Sequence, residues 1–100
     1  MSELGHIFDN ESVKLLVKAF MMLENEEECK AFLEDIMTTK EILDISQRIV
    51  VAKMLSEQAV YNKIAEETGA STATISRVNR SYSYGTGAYK TVLERLNEKN

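Results

Sequence analysis

Apolar residues recur along this chain at intervals of three and four, the spacing that lines one face of an α-helix. Val13, Leu16, Val17, Phe20 and Met21 form one such face and predict a first helix from about Asn10 to Leu23. Asn25 is placed to cap a second helix. Glu28, three residues on, completes a capping box, while Glu26 and Glu27 complement the positive end of the helix dipole. Cys29, Phe32, Leu33 and Ile36 make the apolar face of that helix. Thr38-Thr39-Lys40-Glu41 is a second capping box and opens a long third helix to about Ser56. Ile42, Ile45, Ile49, Ala52 and Met54 or Leu55 keep the helical spacing, but Leu43, Val50 and Val51 fall off that stripe. A helix that is apolar nearly all round must be buried on several sides. A helical domain of 100 residues has little room for that, so the third helix is expected to pack against another chain as well as its own. No proline occurs, and glycine stands only at positions 5, 69, 85 and 87, so few breakers interrupt the helical pattern.

Residues 61–80 read Tyr-Asn-Lys-Ile-Ala-Glu-Glu-Thr-Gly-Ala-Ser-Thr-Ala-Thr-Ile-Ser-Arg-Val-Asn-Arg, which has the spacing of a helix-turn-helix. Ile64 and Ala65 face inward, and Ala65 is small where the following helix crosses close. Gly69 fits a left-handed residue ending the fourth helix, Ser71 a cap on the fifth, and Ile75 and Val78 anchor the fifth on the fourth. The exposed positions of the fifth helix are then Thr72, Ala73, Ser76, Arg77 and Arg80, small and polar first, cationic later. Small residues allow close approach to base edges, cations flank the phosphate backbone, and the free N–H groups of a helix start attract a phosphate. The expected base readers are Ser71, Thr72, Ala73 and Ser76; the expected phosphate contacts are Lys63, Arg77, Arg80 and Lys90.

The charge distribution agrees with that assignment. The net charge is −4, but residues 68–93 carry Arg77, Arg80 and Lys90 and no acid, whereas residues 1–67 hold 14 acidic and 7 basic side chains. An acidic body with one acid-free patch is the pattern of a localised anion site.

These residues resemble a known family. Thr68-Gly69-Ala70-Ser71-Thr72-Ala73-Thr74-Ile75-Ser76-Arg77, with Gln47-Arg48 upstream and Tyr84-Gly85-Thr86-Gly87-Ala88-Tyr89-Lys90 downstream, resemble the YerC/YecD-type proteins of the Trp repressor superfamily over about residues 10–96. The resemblance implies an all-α, six-helix Trp-repressor-like fold, an intertwined homodimer formed by the first three helices and the sixth, and DNA binding by the fourth and fifth. It also places Thr39, Thr74, Arg77 and Ser81 on positions of the Trp repressor's ligand pocket. Two positions depart: Ile49 stands where that repressor has an arginine, and Val78 where it has a glycine that leaves space for the indole. Thr39, Ile49, Thr74, Arg77, Val78 and Ser81 are therefore expected to form a vestigial effector pocket that does not sense tryptophan, with no other small-molecule effector identified. Relatives commonly carry a glycine and a serine or threonine just before the fourth helix, where this chain has Gln58 and Val60. That helix is expected to start raggedly and to join the third loosely.

Other features change the picture little. Composition, 44% hydrophobic and 28% charged, is that of an ordered globular chain. Cys29 is the one cysteine and excludes an intramolecular disulfide or a multi-cysteine zinc site; it reads as a packed small hydrophobe. His6 lies in the expected arm without a second metal ligand at the right spacing. Glu66 and Glu67 are adjacent, so they point from different helix faces and form no catalytic pair. Gly85 and Gly87 read as a turn before the sixth helix, and Tyr82, Tyr84 and Tyr89 as packing around that turn or on the core, with stacking on bases as the alternative. No metal or cofactor is expected, and no nucleophile–base pair assembles, so the protein is not expected to be an enzyme. No apolar run is long enough to span a membrane, and Met1 to Asn10 lacks the basic start and apolar centre of a signal peptide, so a cytoplasmic location is expected. The expected layout is a flexible arm over 1–9, one helical domain over 10–97 with the helix-turn-helix at about 60–82, and a frayed end at 98–100. The expected function is a sequence-specific transcriptional repressor that binds double-stranded operator DNA as a homodimer; the alternative is a protein-interaction module docking on a transcription complex.

Overall fold

The computed structural model describes residues 6–99. Among them the secondary structure is helical: a 3-10 turn at Ile7–Asp9, then α1 (Glu11–Met21), α2 (Glu26–Ile36), α3 (Thr39–Ser56), α4 (Tyr61–Thr68), α5 (Thr72–Tyr84) and α6 (Ala88–Lys99). The expected arm lies outside the described residues up to position 5, and its remainder holds the 3-10 turn. At the other end, α6 carries residues 98 and 99 in helix.

Local chemistry sets the helix starts. Asn10 accepts hydrogen bonds from the Ser12 and Val13 N–H groups, and Asn25 accepts one from Glu28 N–H at 2.9 Å. The reciprocal arm of the second cap differs from the standard box: Glu28 Oε1 accepts from the N–H of Glu24, one residue earlier than the cap itself. At α3 the box closes in both directions, Glu41 N–H to Thr38 Oγ1 at 3.1 Å and Thr38 N–H to Glu41 Oε1 at 2.8 Å.

The chain divides into two compact units, one ending at Ile42 and the other beginning at Leu43. In the first, Phe20 and Phe32 meet edge to face with ring centroids 5.4 Å apart, an arrangement that suits the aromatic quadrupoles. No residue of α1 or α2 is buried, and Leu15, Leu16, Val17, Met21 and Met22 are all exposed. The second unit has a core. Val51, Ala52, Met54, Ile64, Ala70, Ile75, Val78 and Leu93 are buried, and Leu55, Ala59, Tyr61, Ala65, Tyr82 and Tyr89 pack against them. The apolar girdle of α3 is thus split. Val51 and Ala52 are fully enclosed, while Ile49 and Val50 remain 44% and 47% exposed.

The α3–α4 joint has a defined geometry. Gln58 N–H donates to Leu55 O and Ala59 N–H to Met54 O, both at 3.0 Å, and Gln58 itself is left-handed at φ 64°. This is a Schellman closure with glutamine where glycine is the usual occupant. It satisfies two carbonyls at the end of α3. The start of α4 is less well served: Val60 occupies the cap and offers no side-chain hydrogen bond.

Candidate nucleic-acid interface

α4 and α5 are joined by a turn that several residues fix. Gly69 ends α4 at φ 75°, and its N–H donates to Ala65 O at 2.9 Å. A β-carbon there would meet nothing within 4 Å, so the requirement for glycine is torsional and not steric. Thr68 Oγ1 donates to Ile64 O at 2.7 Å and accepts from Ala70 N–H at 3.1 Å, which ties the turn to the helix before it. Ala70 enters the core at 5% exposure. From α3, Gln47 Nε2 donates to Thr68 O at 3.0 Å. That carbonyl belongs to the last turn of α4, where no helical N–H remains to pair it. Gln47 therefore ties the helix-turn-helix to α3. Gln47 is not among the expected site residues; its amide is half-buried, and the bond that gives it a role spans 21 positions.

Ser71 caps α5, accepting from Thr74 N–H and donating to Thr74 Oγ1, both at 3.1 Å. Of the four expected base readers it is the one whose hydroxyl is already engaged. Thr72, Ala73 and Ser76 are exposed on the first two turns. Ile75 and Val78, at 0% and 3% exposure, hold the opposite face against the core. The orientation of α5 follows: packing fixes one side, and the small polar side is left outward.

Four expected phosphate contacts are exposed, Lys63 on α4, Arg77 and Arg80 on α5, and Lys90 on α6. Ion pairs such as Lys14 with Glu11 and Lys30 with Glu26 lie on the first two helices, and among the described residues Arg77 and Arg80 make none. Lys90 differs: its ammonium sits 5.2 Å from the centroid of the Tyr82 ring. An exposed contact of this kind contributes about 0.5–1 kcal/mol, so Lys90 has something to give up before it reaches outward.

The residues expected of a vestigial effector pocket have unlike environments. Thr39 belongs to the unit ending at Ile42, and the others to the second unit. Ile49, Arg77 and Ser81 are exposed, Thr74 is half-buried, and Val78 is a member of the hydrophobic core. The three tyrosines of the α5–α6 region separate as well. Tyr82 and Tyr89 pack on the core, as expected of them, whereas Tyr84 is 86% exposed and packs on nothing. Gly85 ends α5; a β-carbon at this position would collide with the Ser81 carbonyl, which the Gly85 N–H approaches at 2.9 Å. Cys29 is half-buried, and His6, Glu66 and Glu67 are exposed. No helix of the described residues is long and apolar enough to cross a membrane.

Comparison with known proteins places this architecture. The protein YerC of Bacillus subtilis strain 168, described as uncharacterized, is 48% identical over 83 residues, covering 83% of this chain and 80% of its own. The crystal structure of a TrpR-like protein from Eubacterium eligens superposes with a TM-score of 0.87 at 50% identity, covering 92% of this chain and 95% of that one. A candidate Trp repressor from Staphylococcus aureus superposes with a TM-score of 0.89 at 42% identity, covering 97% and 96%. Residues 11–97 match the Trp repressor protein family, which spans every helix from α1 to α6, and the chain belongs to that family.

Proposed function

We propose that the protein is a transcriptional repressor that binds operator DNA sequence-specifically as a homodimer, and that it does so without responding to tryptophan. The observation that carries this reading is the outward face of α5. It is acid-free, opens with Thr72, Ala73 and Ser76, continues with unpaired Arg77 and Arg80, and is held in position by a capped, glycine-ended turn. A helix of 13 residues is about 20 Å long, and its side chains have the size and chemistry to enter a major groove. Family membership supports the same class of function.

The homodimer is supported by what a single chain leaves uncovered. The first unit has no buried residue on α1 or α2, and Leu43 and Val50, seven residues apart on one face of α3, are 63% and 47% exposed. Apolar surface of this extent is unfavourable in water, and a second copy removes it. Indifference to tryptophan is supported by Ile49, which offers no charge to a carboxylate, and by Val78, whose side chain fills core volume.

The test is recovery of genomic fragments bound by the intact protein. A recurring two-fold-symmetric sequence is expected. Fragments recovered without any shared sequence would reject the sequence-specific reading.

A further inference from the structure

Large aromatic side chains of this chain are mostly packed. Tyr61, Tyr82 and Tyr89 all lie against the core, and Phe20 and Phe32 lie against each other. Tyr84 is 86% exposed at the last residue of α5. Its position on the helix explains why no core contact is open to it. Ala73, Arg77, Arg80 and Tyr84 follow one another at intervals of four, three and four, so they form one stripe, opposite the buried Ile75 and Val78. The aromatic ring therefore continues the row of unpaired cations.

We infer that Tyr84 contacts the DNA backbone at the far edge of the groove occupied by the start of α5. The inference rests on the DNA-binding reading above and adds a residue to it. From Ser71 to Tyr84 the helix rises about 20 Å, more than the roughly 12 Å width of a major groove. With the first turns at base edges, Tyr84 falls over sugar and phosphate. Its phenol suits that surface: the ring lies on the apolar face of a deoxyribose, and the hydroxyl donates to a phosphate oxygen. The contact is independent of sequence, and it is made by a neutral group.

Neutrality gives it a signature that a cation cannot imitate. An arginine lost from a phosphate lowers the slope of log affinity against log salt by about one unit. A lost phenol lowers affinity at every salt concentration and leaves the slope unchanged. The experiment measures binding of the full chain to a mixed-sequence duplex of about 30 base pairs, a few turns of DNA and enough for a backbone contact. Wild type, Tyr84→Ala, Tyr84→Phe and Arg80→Ala are each titrated over a range of salt. Tyr84→Ala is expected to bind about three- to tenfold more weakly with the wild-type slope, Tyr84→Phe to fall between them, and Arg80→Ala to lose both affinity and slope. In parallel, tetranitromethane should nitrate Tyr84 in the free protein, and the duplex should protect it. If the duplex is bound, Arg80→Ala is weakened, and Tyr84 is neither protected nor needed, the assignment of Tyr84 is wrong and the DNA-binding reading stands. If wild type does not bind the duplex at low salt, both are wrong. Since the side chain is solvent-exposed, the variants are expected to fold, which circular dichroism checks.

Discussion

Replacing Gln58 with glycine should stabilise the protein. Gln58 occupies the left-handed position of the Schellman closure between α3 and α4, at φ 64°. A residue with a β-carbon costs about 1–2 kcal/mol in that conformation. Glycine removes this strain but adds about 0.5–1 kcal/mol of backbone entropy to the unfolded chain. The difference is a net gain of about 0.5–1 kcal/mol, and nothing offsets it, because the Gln58 side chain is exposed. For a domain of this size the gain raises the melting temperature by about 2–8 °C. Urea titration at one fixed protein concentration is the assay, since assembly would make stability depend on concentration. The midpoint should rise with the slope unchanged. Gln58→Ala retains the β-carbon and should show no gain; Gln58→Asn should fall between, because asparagine tolerates the left-handed region. A glycine variant no more stable than the alanine variant would refute the reasoning, showing that Gln58 is not held left-handed in solution.

Three further outcomes are expected. Gln47→Leu keeps the volume but strips Thr68 O of its donor; stability should fall by about 1 kcal/mol, and hydrogen exchange at Gly69 and Ala70 should quicken. Sedimentation at micromolar concentration should give about twice the 11.3 kDa chain mass, consistent with the solvent-facing apolar residues of α1 and α3 being covered by a second copy; a clean monomer overturns the dimer. Titration calorimetry with millimolar L-tryptophan should show no saturable heat. Ile49→Arg alone should not restore it, since Val78 still fills its place, and pairing it with Val78→Gly removes a core side chain and costs roughly a further 1 kcal/mol of helix propensity, so that variant must be checked for folding.

Legibility in the sequence followed the range of each interaction. Asn25, Thr38, Glu41, Gly69 and Ser71 act on neighbours within four residues, and their roles could be read directly from spacing. Glu28 was recognisable as a capping partner, but the choice of the Glu24 N–H over that of Asn25 depends on the course of the chain before the cap. Gln58 stands where the family resemblance leads one to expect glycine, and the left-handed backbone gives that departure its physical meaning. Longer-range features were not legible. The bond from Gln47 to Thr68 crosses 21 positions, and nothing local to either residue announces it. Val78 is an exception: its spacing with Ile75 marks it as an anchor of α5, and it is buried in the core accordingly. Tyr82, Tyr84 and Tyr89 are alike by type; helix phase sends two to the core and one to solvent.

The most direct test of the central claim is selection from a pool of randomised duplexes by wild type, Ser76→Ala, Thr72→Val and Arg80→Ala. If the outward face of α5 reads DNA, wild type should enrich a two-fold-symmetric motif, and Ser76→Ala and Thr72→Val should enrich motifs changed at particular base positions. Arg80→Ala should enrich the wild-type motif with weaker affinity and a salt slope smaller by about one. Failure of wild type to enrich any motif, or the same motif and affinity from all four proteins, would contradict the account.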